Sequence, residues 1–196
     1  MNLMTLFKLF RSPTAGWQEL LATKPSMPRL FMLHVVPLAS IPSLMIFFTA
    51  VSADSTFLIG LLSPRKLILV GLILFIIQLI AVPMMALLIK QLGEVVNIQP
   101  TFQSAFTLAA IAPTPLWLSA LLLVAPNLLI LVTFGSLALM ASLGLIYYGL
   151  PLLFDIKGKD NAAMYFGGIM IAGTVALAFL MLSILVILGS MQNLSI

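Results

Sequence analysis

Charge along this chain is confined to short clusters between long apolar runs. The longest run is the most informative: from Val95 to Phe154 sixty consecutive residues carry no Asp, Glu, Lys, Arg or His. A helix rising about 1.5 Å per residue needs roughly 20 apolar residues to cross a hydrocarbon core of about 30 Å. The interval therefore predicts two crossings and a turn, and Ala125-Pro126-Asn127 supplies the breakers near its middle. A third span is expected over about residues 105–124 and a fourth over about 128–150. Upstream, residues 30–51 are preceded by Lys24 and Arg29 and followed by Asp54, giving the first span. Residues 67–89, bracketed by Arg65, Lys66 and Lys90 with Gln78 as their strongly polar side chain, give the second. Pro151 and the polar loop from Asp155 to Asn161 precede a fifth, over about 162–188. The fold class is all-α: a polytopic membrane protein whose five transmembrane helices make one domain over residues 29–190.

The first 28 residues have a different pattern. Leu3, Leu6, Phe7 and Phe10 form a one-sided stripe beside Lys8 and Arg11, which suits the bilayer interface rather than a crossing or a cleavable signal. Ser12-Pro13 has the form of a helix start, after which Trp17, Leu20 and Leu21 share a face opposite Gln18 and Glu19. Two short amphipathic helices on the inner leaflet are expected, with Trp17 anchored at headgroup level.

Composition sharpens this picture. Of 196 residues 62% are hydrophobic and 7% charged, against about a quarter charged in soluble domains. The net charge of +4 arises from nine basic and five acidic residues that flank the spans, a topology signal rather than a nucleic-acid footprint. An inside N-terminus places Lys8, Arg11, Lys24, Arg29, Lys90, Lys157 and Lys159 on the cytoplasmic face and leaves Arg65 and Lys66 outside. Seven against two favours a cytoplasmic N-terminus and, after five spans, a periplasmic or external C-terminus in a cell inner membrane.

Candidate chemistry is sparse. The absence of cysteine removes disulfides, thiolates and Cys-based metal sites. His34, about one turn into the first span, is the intramembrane group that titrates near neutrality, and it lacks a second His, Cys or intramembrane carboxylate with which to hold a metal. An intramembrane hydrolase would require His34 to meet Ser43, Ser119 or Thr114, whereas the span serines suit helix packing. Asp54, Glu94, Asp155 and Asp160 fall in predicted loops, so neither an enzyme nor a cofactor is expected. Proline is the unusual resource. Pro37, Pro42, Pro83, Pro113 and Pro115 each free a carbonyl, and Ala112-Pro113-Thr114-Pro115 is the strongest candidate for a conformational break. Gly168, Ala172 and Ala176 form a small-residue stripe at spacing four that allows close helix contact.

Several of these features coincide with one family. The amphipathic N-terminus with Ser12-Pro13 and Trp17, the five-span layout, Ile111-Ala112-Pro113-Thr114-Pro115-Leu116 and Tyr147-Tyr148-Gly149-Leu150-Pro151 resemble the Yip-one domain family, named for interaction with Ypt and Rab GTPases. The resemblance is greatest to its compact bacterial inner-membrane branch. It implies a five-helix bundle with a cytosolic N-terminus that acts through membrane lipids, a membrane-protein partner or a homo-oligomer rather than through catalysis. Rab-type GTPase binding is not expected, because this sequence lacks the long cytosolic N-terminal domain and the Asp-Leu-Tyr-Gly-Pro type motif of eukaryotic members. Trp17, His34, Gln78, Pro113, Pro115, Gly149, Pro151, Gly168 and Ala172 are the candidate interaction or conformational residues. The leading expectation is membrane organisation or scaffolding. The alternative is a small transporter or lipid flippase that uses the broken third span, with His34 or Gln78 lining a path and a polar cavity bounded by spans one to three. The charge count makes a direct prediction: a topology reporter fused after Ile196 reads as external and one inserted between Asp155 and Asn161 as internal, and the reverse pattern overturns the orientation.

Overall fold

The computed structural model describes residues 8–23, 25–51, 63–124, 127–156 and 159–192. Leu3, Leu6, Phe7, Lys24, Asp54, Ala125, Pro126 and Lys157, named above, lie outside them. Every regular element among the described residues is helical. Five helices are long and apolar enough to cross a membrane: Met27–Phe48, Arg65–Val95, Phe102–Val124, Leu128–Phe154 and Asn161–Ser190. The second runs 31 residues, about 46 Å of helix, well beyond the hydrocarbon thickness. Its last turns carry a Lys90–Glu94 pair at 3.5 Å, so the charge that marks the end of the apolar run does not end the helix.

Helix α1 (Pro13–Thr23) precedes the first span. That span is built from α2 (Met27–Leu30), a π-helical turn over Phe31–Val35, and α3 (Val36–Val51). Pro37 accounts for the wide turn. It has no N–H for the Leu33 carbonyl and its ring would press on that oxygen, so the turn opens and the Val36 N–H reaches five residues back to Phe31.

Helix α4 (Pro64–Val95) ends in a Schellman motif. Asn97 sits at φ 59°, and the Ile98 N–H bonds to the Gly93 carbonyl at 2.8 Å while the Asn97 N–H takes that of Glu94. The third span begins as α5 (Phe102–Ile111), capped by Thr101, whose hydroxyl accepts from the Ser104 N–H at 3.1 Å. It breaks at Ala112–Pro113, resumes as α6 (Thr114–Ser119) and tightens into a 3₁₀ turn over Ala120–Val124. Helix α7 (Leu128–Phe154) starts on Asn127, which accepts from the Leu129 and Ile130 N–H groups, and stops at Asp155 in the left-handed region at φ 47°. Helix α8 is Lys159–Gln192.

Span three is the axis of the bundle. All residues from Ala105 to Ala112 are buried, and the four alanines in that stretch let α4, α7 and the start of the first span approach closely. Span five lies outside, against α4 and more loosely α7, and none of its most apolar 18-residue window is buried.

The N-terminal helix is where the structure departs most from the sequence pattern. Trp17 is not a headgroup anchor but is fully buried, and its indole N–H donates to the Leu145 carbonyl of α7 at 3.1 Å. The slot exists because position 149 is glycine: a Cβ there would stand 2.6 Å from the indole ring. Leu9 and Leu20 are buried beside it, and a Lys8–Glu19 pair closes the outer face at 2.6 Å. The apolar face of α1 thus covers protein rather than lipid. Gly149→Ala is expected to force the indole from its slot at a cost of about 1–3 kcal/mol. A thermal melt of the purified protein in detergent reads this as a lowered midpoint, and an unchanged midpoint together with unchanged tryptophan emission would show that α1 is not seated there.

Candidate functional site

Two prolines make the break in the third span. Pro113 and Pro115 withhold the N–H groups that the Ala109 and Ile111 carbonyls would otherwise accept, and the chain turns at Ala112 before α6 restarts at Thr114. A break at membrane depth must satisfy its polar groups within the protein. Here the first span supplies the partner. His34, carried inward by the π-helical turn and 2% exposed, places Nε2 2.9 Å from the Thr114 hydroxyl, which is itself fully buried. Thr114 is the residue at which the helix restarts, so the imidazole ties the first span to the broken one.

A histidine beside a threonine hydroxyl meets the distance criterion for a base and a nucleophile. The surroundings favour a tie between helices. The pair is sealed by packing, and neither residue lines the cavity that lies beside the break. Among the described residues no three His, Cys, Asp or Glu groups come together as metal ligands would.

That cavity, about 190 Å³, lies between spans two, three, four and five; of the spans one to three expected to bound it, two and three do, while span one and His34 are outside it. Its wall is largely hydrocarbon. Pro113 and Trp117 contribute from the break, and the polar groups are Gln78, Ser142 and Thr174. Gln78 is buried, and its amide N–H donates to the Leu74 carbonyl one turn back at 3.3 Å. Ser142 is buried and its hydroxyl has no partner.

The remaining candidates fall elsewhere. Gly149 lies under Trp17, and Pro151, half a turn on, is exposed within α7. Pro115 is buried in the first turn of α6. Gly168 faces Leu92 of span two, with 3.5 Å between a Cβ built there and the leucine side chain. Ala172 is half-buried, and Ala176 borders the cavity, so the small-residue stripe splits between a helix contact and a void. Sequence reasoning missed Tyr165, which is buried and donates to the Ile89 carbonyl at 2.7 Å, joining span five to span two. Its signal was the lone phenol of the fifth apolar run, since a buried tyrosine O–H needs an acceptor.

Thr114→Val keeps the shape of the threonine and removes its hydroxyl, leaving a buried imidazole nitrogen unpaired. A loss of about 1–3 kcal/mol is expected, with Thr114→Ser restoring most of it. In a double-mutant cycle with His34→Leu the second change should cost much less once the first is made, whereas additive losses would mean that the two do not interact.

A family model described as the Yip1 domain matches residues 7–189. No curated protein and no solved structure compared with the chain gives a match. The matched stretch takes in α1, all five spans and the proline break. The chain belongs to the Yip1 domain family and is a multi-pass membrane protein.

Proposed function

We propose that this protein works without catalysis, by lateral association in the membrane with lipids and with a membrane-protein partner or a second copy of itself. The observation that carries this reading is the placement of span five. It is among the most apolar helices of the chain, yet its long run from Ile171 to Val186 presents Val175, Phe179, Leu182 and Val186 outward, each more than 60% exposed. Such a face meets either acyl chains or another helix, and van der Waals packing is what drives helix association in lipid. The buried histidine–threonine pair supports the same reading, because it stabilises a break rather than opening to a substrate.

The proposed setting is a cell inner membrane of a bacterial source, with a cytoplasmic N-terminus. The packing of α1 against the C-terminal half of α7, and the approach of the Gln103 amide to the Pro25 carbonyl at 3.4 Å, gather α1, the 96–101 turn and the end of span four at one end of the bundle. Lys8, Arg11, Arg29 and Lys90 belong to that end, whereas Arg65 and Lys66 belong to the other, which supports the orientation. We further propose that residues 29–190 act as one domain.

A second reading, lipid or solute movement through the bundle, is favoured by the cavity that borders Pro113. Reconstituted vesicles separate the two. The transport reading predicts movement above protein-free controls that Pro113→Ala with Pro115→Ala reduces. The lateral-association reading is tested by single cysteines at Val175, Phe179 and Leu182 in a chain that otherwise has none. Cross-linking in native membranes is expected to give a discrete adduct from at least one of these positions, and a chain that stays monomeric and unpartnered at all three contradicts it.

A further inference from the structure

The cavity beside the break holds an unmet chemical demand. Ser142 is 5% exposed and its hydroxyl finds no acceptor or donor, although a helical serine ordinarily bonds back to a carbonyl three or four residues earlier. Leaving a buried hydroxyl unpaired costs on the order of 1–3 kcal/mol. Gln78, 6% exposed, also lines the cavity, and its one recorded bond, to Leu74, uses a single amide hydrogen. Both groups lie near the middle of their helices, 13 residues after Arg65 and 14 after Leu128, and hence near the bilayer midplane. The remaining wall is mostly aliphatic and aromatic, and the exposed Leu139 and Thr174 at the rim open it sideways between spans four and five.

The shape and polarity together specify an occupant. A dry cavity of about 150 Å³ takes up benzene, so 190 Å³ accommodates a ring or a stretch of chain. An unsubstituted acyl chain would leave Ser142 unmet, and a charged headgroup would have no counter-charge, since no Asp, Glu, Lys, Arg or His lines the wall. We infer that the void between spans two to five is a binding site for a lipid-phase molecule bearing one uncharged hydrogen-bonding oxygen, a carbonyl or hydroxyl, held at mid-bilayer depth by Ser142 and Gln78. It enters through the lateral opening between spans four and five. This site is independent of whether the outer face of span five finds a partner.

Gly173 provides a clean test because it lines the cavity and a Cβ built there meets nothing within 4 Å. A phenylalanine at that position fills the void from the lipid side without pressing on the core. The full chain in lipid nanodiscs is photolabelled with three diazirine probes: a long-chain ketone with its carbonyl mid-chain, the matched hydrocarbon, and a phospholipid with the diazirine at the same depth. The ketone is expected to label peptides containing Ser142 and Gly173 saturably, with competition by unlabelled ketone. Labelling should fall roughly tenfold in Gly173→Phe and about fivefold in Ser142→Ala. Equal labelling by ketone and hydrocarbon overturns the hydrogen-bonding site, including the case in which water alone satisfies Ser142. Saturable labelling by the phospholipid alone assigns the cavity to bulk lipid and also overturns it. Should Gly173→Phe melt early, the Ser142→Ala variant decides, since unchanged ketone labelling there contradicts the inference.

Discussion

A helix cannot be interrupted at membrane depth unless something inside the protein takes up the groups it leaves unpaired. That constraint organises this bundle. The break at Ala112–Pro113 leaves backbone groups without helical partners, and the first span sets a buried histidine, held inward by its own irregular turn, against the hydroxyl of Thr114 where the helix restarts. The two irregularities are a matched pair: Pro37 widens the first span at the level where Pro113 and Pro115 break the third. Around that join the alanines of α5 bring the neighbouring helices close, and the largest continuous group of buried side chains surrounds it.

The same principle governs the N-terminal helix. A tryptophan at a membrane surface has its N–H solvated by headgroups, but one driven into a bundle needs an acceptor and a slot. Leu145 and Gly149 provide these on adjacent turns of α7. Trp17 thus ties the N-terminal helix to span four, which also forms one wall of the cavity. Span five, by contrast, is held near both ends, through Tyr165 to Ile89 and Gly168 to Leu92 at its start and through Ile187 and Leu188 against Leu67 and Val70 of span two at its finish. The cavity and the exposed face of span five lie between these contacts.

The spans were legible because charge is so expensive in hydrocarbon that its position alone delimits them, and the proline break was legible because proline can play few other parts within an apolar run. The partner of the break was not legible: His34 and Thr114 are 80 residues apart, and nothing local to either one indicates that they meet. Trp17 misled for a different reason, since an interfacial anchor and a core plug have the same amphipathic spacing. Gly149 held the missing information, but a glycine before a proline at a helix end reads equally well as a terminator. Ser142 was indistinguishable from the other span serines, because its significance lies in a hydrogen bond it does not make.

The central claim is that the interruption in the third span is sealed by protein contacts. Hydrogen–deuterium exchange of the full chain in lipid nanodiscs, resolved to single amides, addresses it most directly. A sealed break predicts that the N–H groups of Thr114, Leu116 and Trp117 exchange as slowly as those of Ala105 to Ile111, and that Thr114→Val accelerates them while α5 stays protected. Fast exchange at Thr114 to Trp117 in the unaltered protein would mean that water reaches the break, and would contradict the account.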